Sequence, residues 1–173
     1  MQKKTICSLV LAVVMAGSAS LALAADKAVA ELAPTQGNNV KGTVQFEQKG
    51  DKVLVTAEVT GLAANSEHGF HVHEKGDCSA PDGTSAGGHF NPENKPHGHA
   101  SMERHVGDMP NLKADANGVA KASFELDLMT LKEGSANNII GRGLIVHKDP
   151  DDYKSQPVGN AGARIACGVI KAQ

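Results

Sequence analysis

VKGTVQFEQ (Val40–Gln48), KGD (Lys49–Asp51) and KVLVTAEVT (Lys52–Thr60) form one continuous stretch in which polar and apolar residues alternate on both sides of a Gly-centred turn. Period two puts one face of each segment toward a core and the other toward water, and the short turn returns the chain antiparallel, so the stretch reads as a β-hairpin. Working outward, HGFHVH (His68–His73) is short and strand-like, and the alternation resumes in GVAKASFELDL (Gly118–Leu128), IIGRGLIVH (Ile139–His147) and RIACGVI (Arg164–Ile170). Ala25–Asn39 is small or polar and reads as a frayed lead-in. Between His73 and Gly118 there is no sustained periodicity, and an irregular loop of that length is usually functional. A second polar loop, Lys148–Ala163, carries Pro150, Pro157, Gly159 and Gly162. No internal repeat and no amphipathic helix is visible. The pattern predicts an all-β domain, an antiparallel sandwich or barrel over residues 40–173 with its chemistry in two long loops.

Composition agrees. The chain has 173 residues, 40% of them apolar and 21% charged, with 19 Gly and 7 Pro, a balance that suits one turn-rich globular domain. A formal charge of -2, no Trp, one Tyr and four Phe supply neither a basic phosphate-binding face nor aromatic platforms, which argues against a nucleic-acid partner.

Met1–Ala24 opens with Lys3 and Lys4, continues in an uncharged run from Ile6 to Leu23 and ends in Ala22-Leu23-Ala24. That is the layout of a cleaved secretory signal with an A-x-A site, so no stable membrane association is expected of the mature protein. Removing it takes away Lys3 and Lys4 and no acid, leaving 15 basic against 19 acidic residues and a formal charge of -4. Cys7 leaves too. Cys78 and Cys167 remain, an even pair in an exported chain, for which a disulfide is the default. Closing so long a loop contributes about 4 to 5 kcal/mol in the chain-entropy estimate.

Eight histidines occur, and seven of them fall between His68 and His105. His71 and His73 are two apart on a strand-like segment, so both rings leave the same face and can chelate one ion. His89, His97, His105 and Asp108 follow on the irregular loop, where they can converge on a second point, and His147 ends a later strand from which it can join the first. With the cysteines oxidised, only imidazole and carboxylate are on offer. Three His plus Asp suits tetrahedral zinc, and an all-imidazole set suits copper. Spacing alone leaves His89 open, either as a bridge through both ring nitrogens or as a fourth ligand on one side.

GFHVHEKGDC (Gly69–Cys78), GGHFNP (Gly87–Pro92), ERHVGD (Glu103–Asp108), LIVH (Leu144–His147) and GNAGARIACGVI (Gly159–Ile170) together resemble copper/zinc superoxide dismutase, in its bacterial periplasmic branch. The resemblance implies an eight-stranded antiparallel Greek-key β-barrel of immunoglobulin-like sandwich type. It implies one copper and one zinc ion per subunit, and dismutation of superoxide to dioxygen and hydrogen peroxide in the envelope. By motif, His71, His73 and His147 resemble the copper-only ligands, His89 the bridging imidazolate, and His97, His105 and Asp108 the zinc set. His97 and His99 both lie in KPHGHA, and the distance of His97 from His89 agrees with the animal form. Cys78 and Cys167 match the family disulfide, and His68 matches a structural histidine.

Asp151 resembles the carboxylate that links a copper histidine to a zinc histidine. Arg164 resembles the arginine that holds the anion, and His89 the proton carrier. The Lys148–Ala163 loop is shorter than in animal members and lacks their charge pattern, which leaves Lys75, Lys95 and Lys154 as steering candidates. Family members stay monomeric or form homodimers through different surfaces. A non-catalytic copper buffer would need neither Arg164, Asp151 nor the bridge. A zinc hydrolase would need a motif such as HExxH, which the chain lacks.

Overall fold

The computed structural model describes residues 25–173; the expected leader, Met1–Ala24, lies outside the described residues. The strands are β1 (Lys27–Pro34), β2 (Lys41–Lys49), β3 (Lys52–Thr60), β4 (Glu67–His68), β5 (Phe70–His73), β6 (Leu112–Lys113), β7 (Ala120–Leu126), β8 (Gly143–His147), β9 (Arg164–Val169) and β10 (Lys171–Ala172). The hairpin forms as read: β2 and β3 pair from Lys41↔Thr60 to Lys49↔Lys52, and Gly50 takes the left-handed conformation that the tight turn needs. Along β3, Val53, Val55, Ala57 and Val59 are buried while Lys52, Thr56 and Glu58 face water.

The main sheet runs β5-β8-β9-β1-β2-β3-β7, and β10 pairs with β1. Beyond β7 an antiparallel bridge, Ala114↔Ala120, leads to β6, and β6 pairs with β4. Since β4 and β5 are one strand interrupted at Gly69, the pairing returns to its start, and the sheet curls into the expected Greek-key barrel. The connection from β3 to β4 passes over β7 and β6, and that from β7 to β8 passes over β6 and β4.

One expectation fails. Residues 25–39 are not a frayed lead-in, because β1 occupies Lys27–Pro34 and is hydrogen-bonded to β2 on one side and to β9 and β10 on the other. Its inward residues are Ala28, Ala30 and Leu32. Two alanines carry little strand preference and little hydrophobic contrast, so the period-two signal was faint even though the burial is complete.

Phe70 and Val72 of β5 and Leu144 and Val146 of β8 point into the core, yet the other faces of both strands are buried as well. Those outer faces carry His71, His73, Ile145 and His147, and residues 74–111 and 148–163 cover them. The pairing of β8 with β9 slips between Val146 and His147, which brings His147 opposite Arg164. Cys78, on the first covering loop, is disulfide-bonded to Cys167 of β9 with Cα atoms 5.8 Å apart.

Candidate metal centre

The first loop turns back onto β5. Phe90 donates its backbone N–H to the Val72 carbonyl, Val72 donates to Gly107, and Phe90 and Val106 are buried in the barrel core. A side chain at position 107 would run into the Val72 carbonyl, so only glycine lets the backbones approach this closely. That fold-back sets His89 beside His73 and Asp108 beside His71.

Two buried four-donor sets result: His71, His73, His89 and His147, and His89, His97, His105 and Asp108, with the donor atoms of each set within 4.8 Å of one another. His89 belongs to both. His97 stands in the second set, whereas His99 bonds to Ser101 and sets its ring edge-on against Tyr153.

The hydrogen bonds at the back of each ring fix which nitrogen faces inward. Asp151 accepts from His71 Nε2 at 2.8 Å and from His97 Nε2 at 2.9 Å, one carboxylate oxygen each. The Gly87 carbonyl accepts from His73 Nδ1 at 2.9 Å, and the Gly162 carbonyl from His147 Nδ1 at 3.2 Å. What remains is His71 Nδ1, His73 Nε2, His147 Nε2 and His89 Nε2 in one set. In the other, His97 Nδ1, His105 Nδ1 and His89 Nδ1 surround Asp108, whose Oδ1 lies 2.9 Å from His89 Nδ1.

His71 Nδ1, His89 Nε2, His97 Nδ1 and His105 Nδ1 are buried without any hydrogen-bond partner. His97 Nδ1 lies 2.9 Å from Asp108 Oδ2 and His105 Nδ1 lies 3.3 Å from Oδ1, but the approach is off the N–H direction. Buried ring nitrogens left unsatisfied cost about 1 to 3 kcal/mol each, so four at one place need an explanation. Cations supply it. His73 Nε2 and His147 Nε2 are 3.4 Å apart, about the separation of two nitrogens each about 2.0 Å from one ion at a tetrahedral angle.

The remaining residues orient these. His68 places Nδ1 2.8 Å from the His147 carbonyl and Nε2 2.6 Å from Ser66 Oγ, bracing the strand end that carries His147. Arg164 donates from Nη1 to the Gly83 carbonyl at 2.7 Å and from Nη2 to the Gly87 carbonyl at 2.5 Å. The Gly87 carbonyl thus holds both Arg164 and His73, a link invisible in the sequence because it runs through backbone. A depression of about 330 Å³ beside Arg164 has Thr35, Asn38, Asp82 and Thr84 among its walls and no lysine. Lys95 is paired with Glu103 at 2.9 Å.

Without metal, burial, followed by the positive potential of His71, lowers His89 to about 4 and His147 to about 3. Burial also lowers His71 and, more strongly, His73. These rings are held neutral, the form that binds metal. Burial resists charge on His97 too, but Asp108 and Asp151 together outweigh it and raise its ring to about 9. Burial likewise opposes ionisation of Asp108 and Asp151, and the surrounding imidazoles outweigh it, lowering both.

These shifts set the stability of the metal-free protein. For His89 and His147, depressed in the fold, stability is present above about 6.5 and is lost as pH falls toward 4 and 3. For His97, raised in the fold, it is present below about 6.5 and is lost as pH rises through about 9. Thermal unfolding of metal-free protein is therefore expected to give a maximum near pH 6.5 and a decline on both sides; a flat profile from pH 4 to 10 would contradict this.

Comparison with known proteins decides the family. Residues 40–170 match the family described as copper/zinc superoxide dismutase (SODC). The chain belongs to the copper/zinc superoxide dismutase family. It is 45% identical over 149 residues to Cu-Zn superoxide dismutase 2 of Aquifex aeolicus, covering 84% of this chain and 86% of that one. To the Cu-Zn superoxide dismutase of Saccharomyces cerevisiae it is 46% identical over 141 residues, covering 76% and 89%. The crystal structure of the clock protein EA4 superimposes with a TM-score of 0.78 at 41% identity, covering 87% of this chain and 97% of that one. The superoxide dismutase reaction, with copper and zinc as the ions, is the activity of this chain.

Proposed function

We propose that His71, His73, His89 and His147 hold copper, that His89, His97, His105 and Asp108 hold zinc, and that the enzyme works in the periplasm of a Gram-negative cell, protecting the envelope from superoxide. The observation that carries the reading is the shared ring. His89 turns one buried nitrogen toward each four-donor set, and every other histidine of the two sets has its rear nitrogen occupied or its front nitrogen unpartnered. All seven residues of the two sets come from one chain, so the chemistry needs no second subunit.

Two superoxide ions and two protons give one dioxygen and one hydrogen peroxide. Copper supplies the one-electron cycling, and zinc is redox-silent. The chain does the rest. Arg164, gripped by the Gly83 and Gly87 carbonyls, keeps its remaining N–H groups and its permanent charge for a small anion. The ring of His89 carries a proton on Nε2 to the reduced substrate, while Asp108 and its neighbours keep the ring in place through Nδ1. Asp151 locks His71 and His97 with Nδ1 forward, which pre-sets both centres at once.

Metal-loaded protein tests this directly: stoichiometric copper should be accompanied by rapid superoxide dismutation. Stoichiometric copper without dismutation would make the protein a copper buffer. Asp151→Asn keeps one acceptor oxygen but turns an amide N–H₂ toward a ring N–H, so zinc affinity should fall about 10- to 100-fold. Competition with a chromophoric chelator measures it, and unchanged affinity would remove Asp151 from the centre. For the location, protein recovered from the periplasmic fraction should begin at Ala25; an intact Met1 start in the cytosol would contradict export.

A further inference from the structure

We propose that Tyr153 is a positioning residue of the zinc set: its hydroxyl, ring and backbone tie together the three chain segments that carry His97, Asp108 and Asp151, and so govern how long zinc is retained. The inference rests on the zinc assignment above and adds a residue with no ligand atom of its own.

The backbone first draws attention to it. Tyr153 sits at φ 58, in the left-handed region that bulky side chains rarely adopt. Such strain persists only where the surroundings over-determine it, and here they do. Its own N–H donates to Asp151 Oδ1 at 2.7 Å, the same oxygen that accepts from His97 Nε2. Its hydroxyl oxygen accepts the backbone N–H of Asn111 at 2.7 Å. Asn111 then clasps the Asp151 backbone twice, donating from Nδ2 to the carbonyl and accepting at Oδ1 from the N–H, each at 3.0 Å.

The third connection is the ring. Tyr153 meets His99 edge-on, with centroids 4.6 Å apart and planes at 88°. His99 is two residues from His97, Asn111 is three residues from Asp108, and Tyr153 is two residues from Asp151. One side chain therefore spans the segments whose separation would open the zinc set. A leucine or phenylalanine could supply the ring contact or the bulk, but not the hydroxyl that holds Asn111.

The chain contains no Trp and a single Tyr, so its tyrosine emission comes from this residue alone. Cobalt(II), placed in the zinc set as a visible-absorption probe, reports the geometry there. The experiment compares wild type, Tyr153→Phe and Tyr153→Gly, following zinc release to excess chelator, the cobalt spectrum and, in wild type, tyrosine emission during zinc titration.

Zinc should leave about tenfold faster from Tyr153→Phe and faster still from Tyr153→Gly. The cobalt bands should shift in both, and wild-type emission should change with one equivalent of zinc. Tyr153→Gly suits the left-handed backbone, so faster release in a variant whose metal-free melting temperature is not lowered separates the latch from general loss of stability. Release rates within about twofold of wild type and superimposable cobalt spectra would overturn the proposal while leaving the zinc assignment intact. Absence of a tetrahedral cobalt spectrum in wild type would overturn that assignment and the latch with it.

Discussion

Replacing His89 with alanine should lower superoxide dismutation per bound copper by about 10³-fold, the scale of losing a positioned proton donor. The two centres should also stop sensing one another. The ring lies in both donor sets, is nearly inaccessible to solvent, and holds its Nδ1 2.9 Å from Asp108 Oδ1. Each set would fall from four donors to three, and Asp108 Oδ1 would lose its 2.9 Å contact with the ring. His89→Ala protein reconstituted to known copper content and assayed per copper tests this, with the copper visible spectrum recorded with and without zinc. A spectrum that still moves on zinc addition, or activity within about tenfold of wild type, would show that His89 does not join the ions.

Arg164→Ala should be the second largest loss, about 10- to 100-fold in kcat/KM, because a fixed positive charge in the wall of the depression both draws in and holds an anionic substrate. Metal content should stay the same, since Arg164 touches the Gly83 and Gly87 carbonyls and none of the donor atoms. Inhibition by small anions should weaken, and so should the decline of activity with ionic strength. Arg164→Lys would keep the charge but not the two-pronged grip, and should fall between. Unchanged kinetics and unchanged salt dependence would remove Arg164 from the mechanism.

Much of this architecture was legible in the sequence because period-two alternation and turn chemistry are local. The Val40–Thr60 hairpin, the outward pair His71 and His73, and the covering loops could all be read without coordinates. β1 could not, since Ala28 and Ala30 bury completely without announcing themselves as apolar. The strand expected over Ile139–His147 begins only at Gly143, because the chain first turns through Gly141 at φ 81. The site was legible as side chains and opaque as backbone. Nothing in the residue types shows that the Gly87 carbonyl holds both His73 and Arg164, or that Asn111 clasps Asp151. Tyr153 gave one signal, its solitude, but its placement depends on a backbone conformation that tyrosine seldom adopts.

The shared ring is best tested by crystals of fully reconstituted protein measured on both sides of the copper and zinc absorption edges. The proposed reading predicts two anomalous peaks: copper among His71, His73 and His147, zinc among His97, His105 and Asp108, and the His89 ring joining them through opposite nitrogens. A single occupied pocket, or two ions too far apart for one imidazole to reach, would contradict it.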